Sequence, residues 1–334
     1  MTHPGSAAPL GDAPVPLVVL TGFLGAGKTT VLNRVLAVQH RWRLAVIVNE
    51  LGRIDIDGKL LKARAGDVVE LTGGCVCHEV QTQDELWGAL HEVVARSRPE
   101  RIVLETTGIA EPQAILDGLA AWSGPKADRA PVVAASAVVA VVDGEAGVAQ
   151  LERHVEARAQ VAAADRIFLS KLDRATPDGL VALHRALDAL NVEAERAAFP
   201  ATREGTAELV PWLLDRPAPS AGARRHTRAR APHTHSQLAA VAFADEAPLA
   251  GEALLALCAR LGPALVRVKG FVHLAGEARR GFLERAGADT RLCLGEPWPS
   301  GPRRTELVFI GEALDAGALR RELWACRTEA QVRR

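Results

Sequence analysis

Short runs of β-branched and aliphatic residues punctuate the first two thirds of the chain: LVVLT (17–21), LAVIVNE (44–50), DVVEL (67–71), RIVLET (101–106), VVAVVD (138–143) and RIFLS (166–170). Their apolar character is nearly continuous, the pattern of a strand covered on both faces. Between most of them the apolar positions recur at helical spacing, as in KTTVLNRVLAVQH (28–40), LERHVEARAQVAAA (151–164) and LVALHRALDAL (180–190). Covered strands alternating with amphipathic helices predict an α/β domain built on a doubly wound, mostly parallel sheet.

The alternation stops near residues 211–214. The segment DRPAPSAGARRHTRARAPHTHS (215–236) is rich in Pro, Ala and Arg, has no period and reads as a linker. After it, QLAAVAFA (237–244), a helical pattern near 248–261, ALVRVKGFVHLAG (264–276), TELVFIG (305–311) and a helical pattern near 316–327 predict a smaller α+β domain. The expected boundaries are a disordered tail over 1–14, a first domain over 15–215, the linker over 216–235 and a second domain over 236–330.

Composition agrees with two folded units: 334 residues, 48% of them hydrophobic, supply ample core. Forty basic and forty acidic residues cancel, so no general attraction for nucleic acid or an anionic membrane is expected. The most apolar run, PVVAASAVVAVV (131–142), is too short to span a bilayer. The segment MTHPGSAAPLGDAPVP lacks the regions of a signal peptide and the five cysteines are mostly scattered, so a cytosolic location is expected.

The strongest chemical signal is TGFLGAGKTT (21–30), which sets Gly22, Gly27, Lys28 and Thr29 in the spacing GxxxxGK followed by Thr, after a strand and before a helix. Glycines let the backbone curl so that successive N–H groups point at phosphate, while the helix start adds its positive dipole end. The candidate phosphate contacts are Gly22, Gly25, Ala26, Gly27, Lys28, Thr29 and Thr30. Lys28 is expected to reach the β- and γ-phosphates, and the Thr29 hydroxyl to ligate magnesium. In LETTG, Glu105 stands at a strand end for the magnesium shell, with Gly108 three residues on to sense the γ-phosphate. Lys28, Thr29 and Glu105 are thus the candidate catalytic residues.

SKLD (170–173) closes another strand and is similar to the NKxD guanine-recognition motif, with Ser170 in place of Asn. The Asp173 carboxylate can accept both the N1 and N2 hydrogens of guanine, which adenine cannot match, and Lys171 can lay its stem over the base. GTP is therefore the expected nucleotide. LETTG contains no glutamine to position the attacking water, so slow intrinsic turnover is expected.

Between the phosphate loop and LETTG lies GGCVCHE (73–79), with Cys75, Cys77 and His78 within four positions. Two thiolates and an imidazole are competent zinc ligands, and three protein ligands leave a fourth position open. A redox pair would need a strained ring and lacks the CxxC helix-start context, and a plain turn of small residues is the remaining reading. His226, His233 and His235 in the linker read as exposed side chains or a transient metal-capturing tract. His3, His40, His91, His154, His184 and His273 read as structural, and Cys258, Cys293 and Cys326 as buried thiols.

The ordered set GFLGAGKTT, VNELGRIDIDG, GGCVCHE, ETTGIAEP and SKLD resembles the CobW-type GTPases, a P-loop family associated with metal insertion and zinc delivery. RVKGFVHLAG and RRTELVFIG extend the likeness into that family's C-terminal domain, so it covers nearly the whole chain. The resemblance implies a GTPase that passes metal to a client metalloprotein. Its metal motif, usually written CxCC, puts ligands at Cys75, Cys77 and His78, with His78 standing where a cysteine is usual. That exchange keeps zinc and also admits cobalt or nickel. Glu50 in VNELG matches a family acid and is a candidate fourth ligand or switch residue. An insertion factor for one cobalt or nickel enzyme, and a GTPase whose cluster only shapes a loop, are the alternatives.

Overall fold

The computed structural model describes residues 14–38, 42–50, 68–72, 80–122, 133–200, 202–215, 238–286 and 289–328. The first domain contains β1 (Val15–Thr21), α1 (Lys28–Ala37), β2 (Leu44–Glu50), β3 (Val68–Thr72), α2 (Val80–Ser97), β4 (Arg101–Glu105), α3 (Pro112–Trp122) and β5 (Val133–Asp143). It continues through α4 (Gly147–Arg153), α5 (Val155–Ala163), β6 (Arg166–Ser170), α6 (Pro177–Asn191), β7 (Glu195–Ala198) and α7 (Arg203–Leu214). Seven strands form one sheet in the order β3-β2-β4-β1-β5-β6-β7, and every pairing is parallel where a mostly parallel sheet was predicted.

Alternate residues of each strand explain the continuous apolar runs. On β1, Val18 and Leu20 pack with Val31, Leu32 and Val35 of α1 and Val210 and Leu213 of α7. Leu17 and Val19 point the other way, onto Leu86 and Leu90 of α2 and Ile115 and Leu119 of α3. Further along the sheet, Ala140, Val142, Ile167 and Leu169 face Leu151, Ala157, Val161, Leu183 and Leu187. A strand enclosed by helices on both faces has no solvated side on which a polar alternation would appear.

The single helix expected over 151–164 is two. His154 leaves the helical region at φ −115°, ψ 122°, closing α4 and opening α5, and its ring stacks on Phe23 with centroids 4.4 Å apart. The stack draws the chain inward at a point where periodicity alone runs straight on. Helix α6 begins where Thr176 accepts a hydrogen bond from the Gly179 N–H at 3.1 Å, with Pro177 in the first turn.

The second domain contains β8 (Leu238–Asp245), α8 (Gly251–Leu261), β9 (Leu265–Val272), β10 (Arg279–Ala286), β11 (Asp289–Pro297), β12 (Thr305–Glu312) and α9 (Ala316–Ala325). Its antiparallel sheet runs β11-β10-β9-β12-β8, and α8 and α9 cover one face through Leu254, Leu257, Leu319 and Leu323. The hairpin β10–β11 was not anticipated, because its sequences RRGFLERA and DTRLCLGEP carry many charges and little alternation. β11 is an edge strand, which also corrects Cys293: it is exposed there, whereas Cys258 and Cys326 are buried as expected. The other face of this sheet is covered too: Val308 and Ile310 pack into the same core as Phe23, Leu24 and Ile109 of the first domain. No helix among the described residues is long and apolar enough to cross a membrane.

One close approach inside β9 is testable. Gly270 has φ 151°, and a Cβ there would fall 1.9 Å from the Glu306 carbonyl oxygen on β12. Gly270→Ala is therefore expected to cost about 2 kcal/mol or more, read as a lower urea midpoint.

Candidate functional site

β1 is the middle strand, flanked by β4 and β5, where the winding of the sheet reverses; in open α/β sheets ligands bind at the carboxyl ends of the strands at such a point. The chain leaving β1 curls tightly there. Gly22 has φ 141°, and a Cβ would stand 2.3 Å from the Val141 carbonyl oxygen, so only glycine lets the loop lie against β5. Gly25 and Gly27 also have positive φ, 78° and 99°, and the Ala26 N–H closes the turn onto the Phe23 carbonyl at 3.1 Å. No side chain caps α1, which leaves its first-turn N–H groups to a ligand entering the loop. Thr30, in that turn, is exposed.

Lys28 is 6% exposed and folds back on the loop, donating from Nζ to the Gly22 carbonyl at 2.7 Å and the Phe23 carbonyl at 3.4 Å. Burial lowers its pKa from 10.5 to about 7; the cations Arg267 and Lys269 of the second domain add to that, and Glu105 opposes it. Glu105, the last residue of β4, is 3% exposed, and burial raises its pKa against the pull of Lys28, a Thr29 hydrogen bond and Arg267. Thr29 Oγ1 donates to Glu105 Oε1 at 2.7 Å, while Oε2 is buried with no hydrogen-bond partner. A hydroxyl and a carboxylate with one oxygen unsatisfied are donors that suit a hard cation such as Mg²⁺.

The segment after Glu105 leans on the phosphate loop. The Thr106 N–H donates to the Leu20 carbonyl at 3.0 Å, and a Cβ on Gly108 would lie 2.5 Å from Leu24 Cδ2 and 2.9 Å from its Cα. Gln160 of α5, 1% exposed, holds this segment from behind, donating from Nε2 to the carbonyls of Gly108 and Ala110, both at 3.1 Å. Gln160 was not singled out from sequence. Its signal is position: it shares the inward face of α5 with Ala157 and Val161, where a polar side chain needs a partner, which its amide N–H groups find while Oε1 stays unpartnered.

The loop after β6 is tied to the same place. The Ser170 hydroxyl lies 2.7 Å from the Ala26 carbonyl and 3.2 Å from that of Val142, so the serine links the SKLD loop to the phosphate loop without an amide. Lys171 has φ 51°, and its ammonium pairs with Asp143 Oδ2 at 2.6 Å. Asp143 is itself fixed, its Oδ1 accepting from the N–H groups of Glu145 at 2.9 Å and Ala146 at 3.0 Å. Asp143 escaped notice in the sequence, though like Glu105 it is the one acid ending an apolar strand. Asp173 is exposed in a 3-10 turn over Leu172–Arg174, open to a base.

Gly22, Gly25, Ala26, Gly27, Lys28, Thr29, Glu105 and Gly108 are thus brought together at the ends of β1 and β4, with Lys171 and Asp173 on the loop bound to Ala26. Cys75, Cys77 and His78 lie outside the described residues, as do the linker histidines and the side chain of Glu50. The backbone fixes where that sequence starts: Glu50 ends β2 directly opposite Thr72, which ends β3 one residue before GGCVCHE. Among the described residues no group of three or more His, Cys, Asp and Glu could hold a metal ion.

Residues 16–197 match the model of the CobW/HypB/UreG nucleotide-binding domain, and residues 238–327 that of the cobalamin synthesis protein CobW C-terminal domain. The zinc chaperone CobW of Pseudomonas aeruginosa is 30% identical over 93% of this chain and 91% of its own length. The zinc chaperone YjiA of Escherichia coli is 28% identical over 92% of this chain and 97% of its own. A solved zinc-bound YjiA GTPase from Escherichia coli covers 95% of this chain and 100% of its own at 22% identity, with a TM-score of 0.39.

The buried pair makes anion binding pH-dependent. An incoming phosphate favours the charged form of Lys28 and the neutral form of Glu105, so in the absence of Mg²⁺ both groups gain proton occupancy on binding. Affinity for GDP in EDTA should fall as pH rises above about 7, by at most about tenfold per pH unit per group. Calorimetry in two buffers of different ionisation heat should show proton uptake at pH 8 that shrinks in Lys28→Gln.

Proposed function

The chain belongs to the family that joins a CobW/HypB/UreG nucleotide-binding domain to a CobW C-terminal domain, and from that premise we propose that it is a GTP-hydrolysing metallochaperone. It binds zinc at Cys75, Cys77 and His78 and passes the ion to a client metalloprotein according to nucleotide state. The observation that carries the hydrolytic half is the part-buried Thr29–Glu105 contact of 2.7 Å, with Glu105 Oε2 buried and unsatisfied. Supporting the metal half are the run GGCVCHE directly after β3 and the zinc chaperones among the relatives.

Each residue then has a definite task. The loop N–H groups and Lys28 hold the phosphates and spread the charge that builds as the terminal P–O bond breaks. Thr29 and Glu105 would hold Mg²⁺, which would supply positive charge to offset that of the phosphates. The Gly108 segment, pinned by Gln160, meets the γ-phosphate. Asp173 accepts two hydrogen bonds from guanine while Lys171, anchored on Asp143, supports the ring. Glu50, at the end of β2, serves as a further ligand or switch residue. Because binding free energies are linked, whatever factor GTP imposes on zinc affinity, zinc imposes on GTP affinity.

His78 in place of a third cysteine favours one other reading, a GTP-timed insertion factor for a dedicated cobalt or nickel enzyme.

Zinc affinity is expected to differ between the GDP form and a form locked by a non-hydrolysable GTP analogue, and to collapse in a Cys75→Ala, Cys77→Ala protein. Equal weak binding in every sample would overturn both metal readings, and a cobalt or nickel preference beyond the ordinary Irving–Williams order would select the second. For the base, Asp173→Ala should weaken GTP binding by about 10- to 100-fold in fluorescence titrations and leave weak ATP binding unchanged.

A further inference from the structure

We infer that the second domain completes the nucleotide site: Arg267 of β9, with Lys269 beside it, contacts the terminal phosphate of the bound nucleoside triphosphate. The inference rests on the GTP reading above and adds a residue from outside the nucleotide-binding domain.

Cross-strand register places both cations. Residues directly opposed in an antiparallel ladder share a face of the sheet. Ile310 of β12 is paired with Arg267, and Val308 with Lys269. Ile310 and Val308 are the residues packed with Phe23 and Leu24 of the phosphate loop and with Ile109, just past Gly108. Arg267 and Lys269 therefore flank the apolar contact on the side facing the phosphate loop. The register between β9 and β12 shifts at Ile310/Gly311, next to Arg267, a bulge of the kind that re-aims a side chain near a site.

Charge tells the same story. Arg267 acts electrostatically on both Lys28 and Glu105, and Lys269, only 8% exposed, acts on Lys28. Both cations also engage other groups, which hold them in place at this face. Three cations and one carboxylate around a glycine loop match a Mg²⁺–nucleoside triphosphate, which carries a net charge of about −2. A planar guanidinium can take two phosphate oxygens at once, and positive charge beside the transferring phosphoryl group speeds its departure. Loss of the γ-phosphate removes this cross-domain contact, so the second domain senses hydrolysis directly.

Affinities for GDP and for a non-hydrolysable GTP analogue, together with kcat and KM, are measured on the full chain for wild type, Arg267→Ala, Arg267→Gln and Arg267→Lys. The control is Arg291→Ala, whose side chain is exposed on β11. Thermal midpoints confirm folding, and Arg267→Gln, which keeps much of the stem, serves if the alanine variant does not fold. The neutral variants are expected to bind the GTP analogue at least about tenfold more weakly, GDP within about threefold of wild type, and to lose at least about tenfold in kcat. Arg267→Lys should recover part of the affinity, and Arg291→Ala should match wild type. GTP-analogue affinity and kcat within twofold of wild type in a folded neutral variant would overturn the contact, as would equal loss of GDP and GTP analogue. Failure of the wild type to bind GTP would instead remove the nucleotide reading and the inference with it.

Discussion

Two opposite charges taken out of water at the mouth of a parallel sheet set the terms for everything around them. Lys28 and Glu105 are both almost fully buried, and a charge in that position costs several kcal/mol unless other groups replace its hydration. Lys28 recovers part of the cost by donating to two carbonyls of its own loop, and Glu105 by accepting from Thr29. The remainder stays unpaid in the lowered pKa of one and the raised pKa of the other. A site strained in this way gains most when it receives an anion and a cation together, which is what a magnesium–nucleotide complex brings.

That arrangement holds only if the loops around it cannot drift, and the ties are polar contacts made from buried positions. Gln160 grips two carbonyls of the Gly108 segment, Ser170 joins the SKLD loop to Ala26, and Asp143 fixes both Lys171 and the turn at Glu145 and Ala146. Gly22 and Gly108 matter for a different reason: each gives up a Cβ so that backbone can meet backbone or Leu24. Preorganisation is thus shared between polar ties that aim the loops and missing side chains that let them approach.

Much of this was legible in the sequence, because the phosphate loop, LETTG and SKLD each couple a residue type to a strand end. The covered strands also announced themselves, since helices on both sides forbid polar alternation. Gln160 and Asp143 carried only a positional signal without a motif spacing: one is a polar residue on an inward helical face, the other an acid at a strand end, and their three-dimensional neighbours give each its task. The break at His154 depends on a ring stack with Phe23, a contact 131 residues apart that no local pattern encodes. TELVFIG did contain an unread clue. An antiparallel strand with one solvated face should alternate, and this one does not, because Leu307 and Phe309 face α8 and α9 while Val308 and Ile310 face the first domain.

That continuous strand bears on how the domains communicate. The apolar part of the interface, Val308 and Ile310 against Phe23 and Leu24, makes no distinction between GTP and GDP, since its burial does not involve the phosphates. The charged part, Arg267 acting on Lys28 and Glu105 and Lys269 acting on Lys28, is the part whose field a bound phosphate would alter. An interface that joins the two can stay docked through the cycle while its ionic partners exchange. Nucleotide state would then reach the second domain as a change in local field and side-chain contacts, with no separation of the domains required. The ends of β2 and β3, where Glu50 stands opposite Thr72, belong to the same carboxyl-end edge of the sheet as the end of β4 that carries Glu105, so β2 joins the two by backbone pairing on both sides.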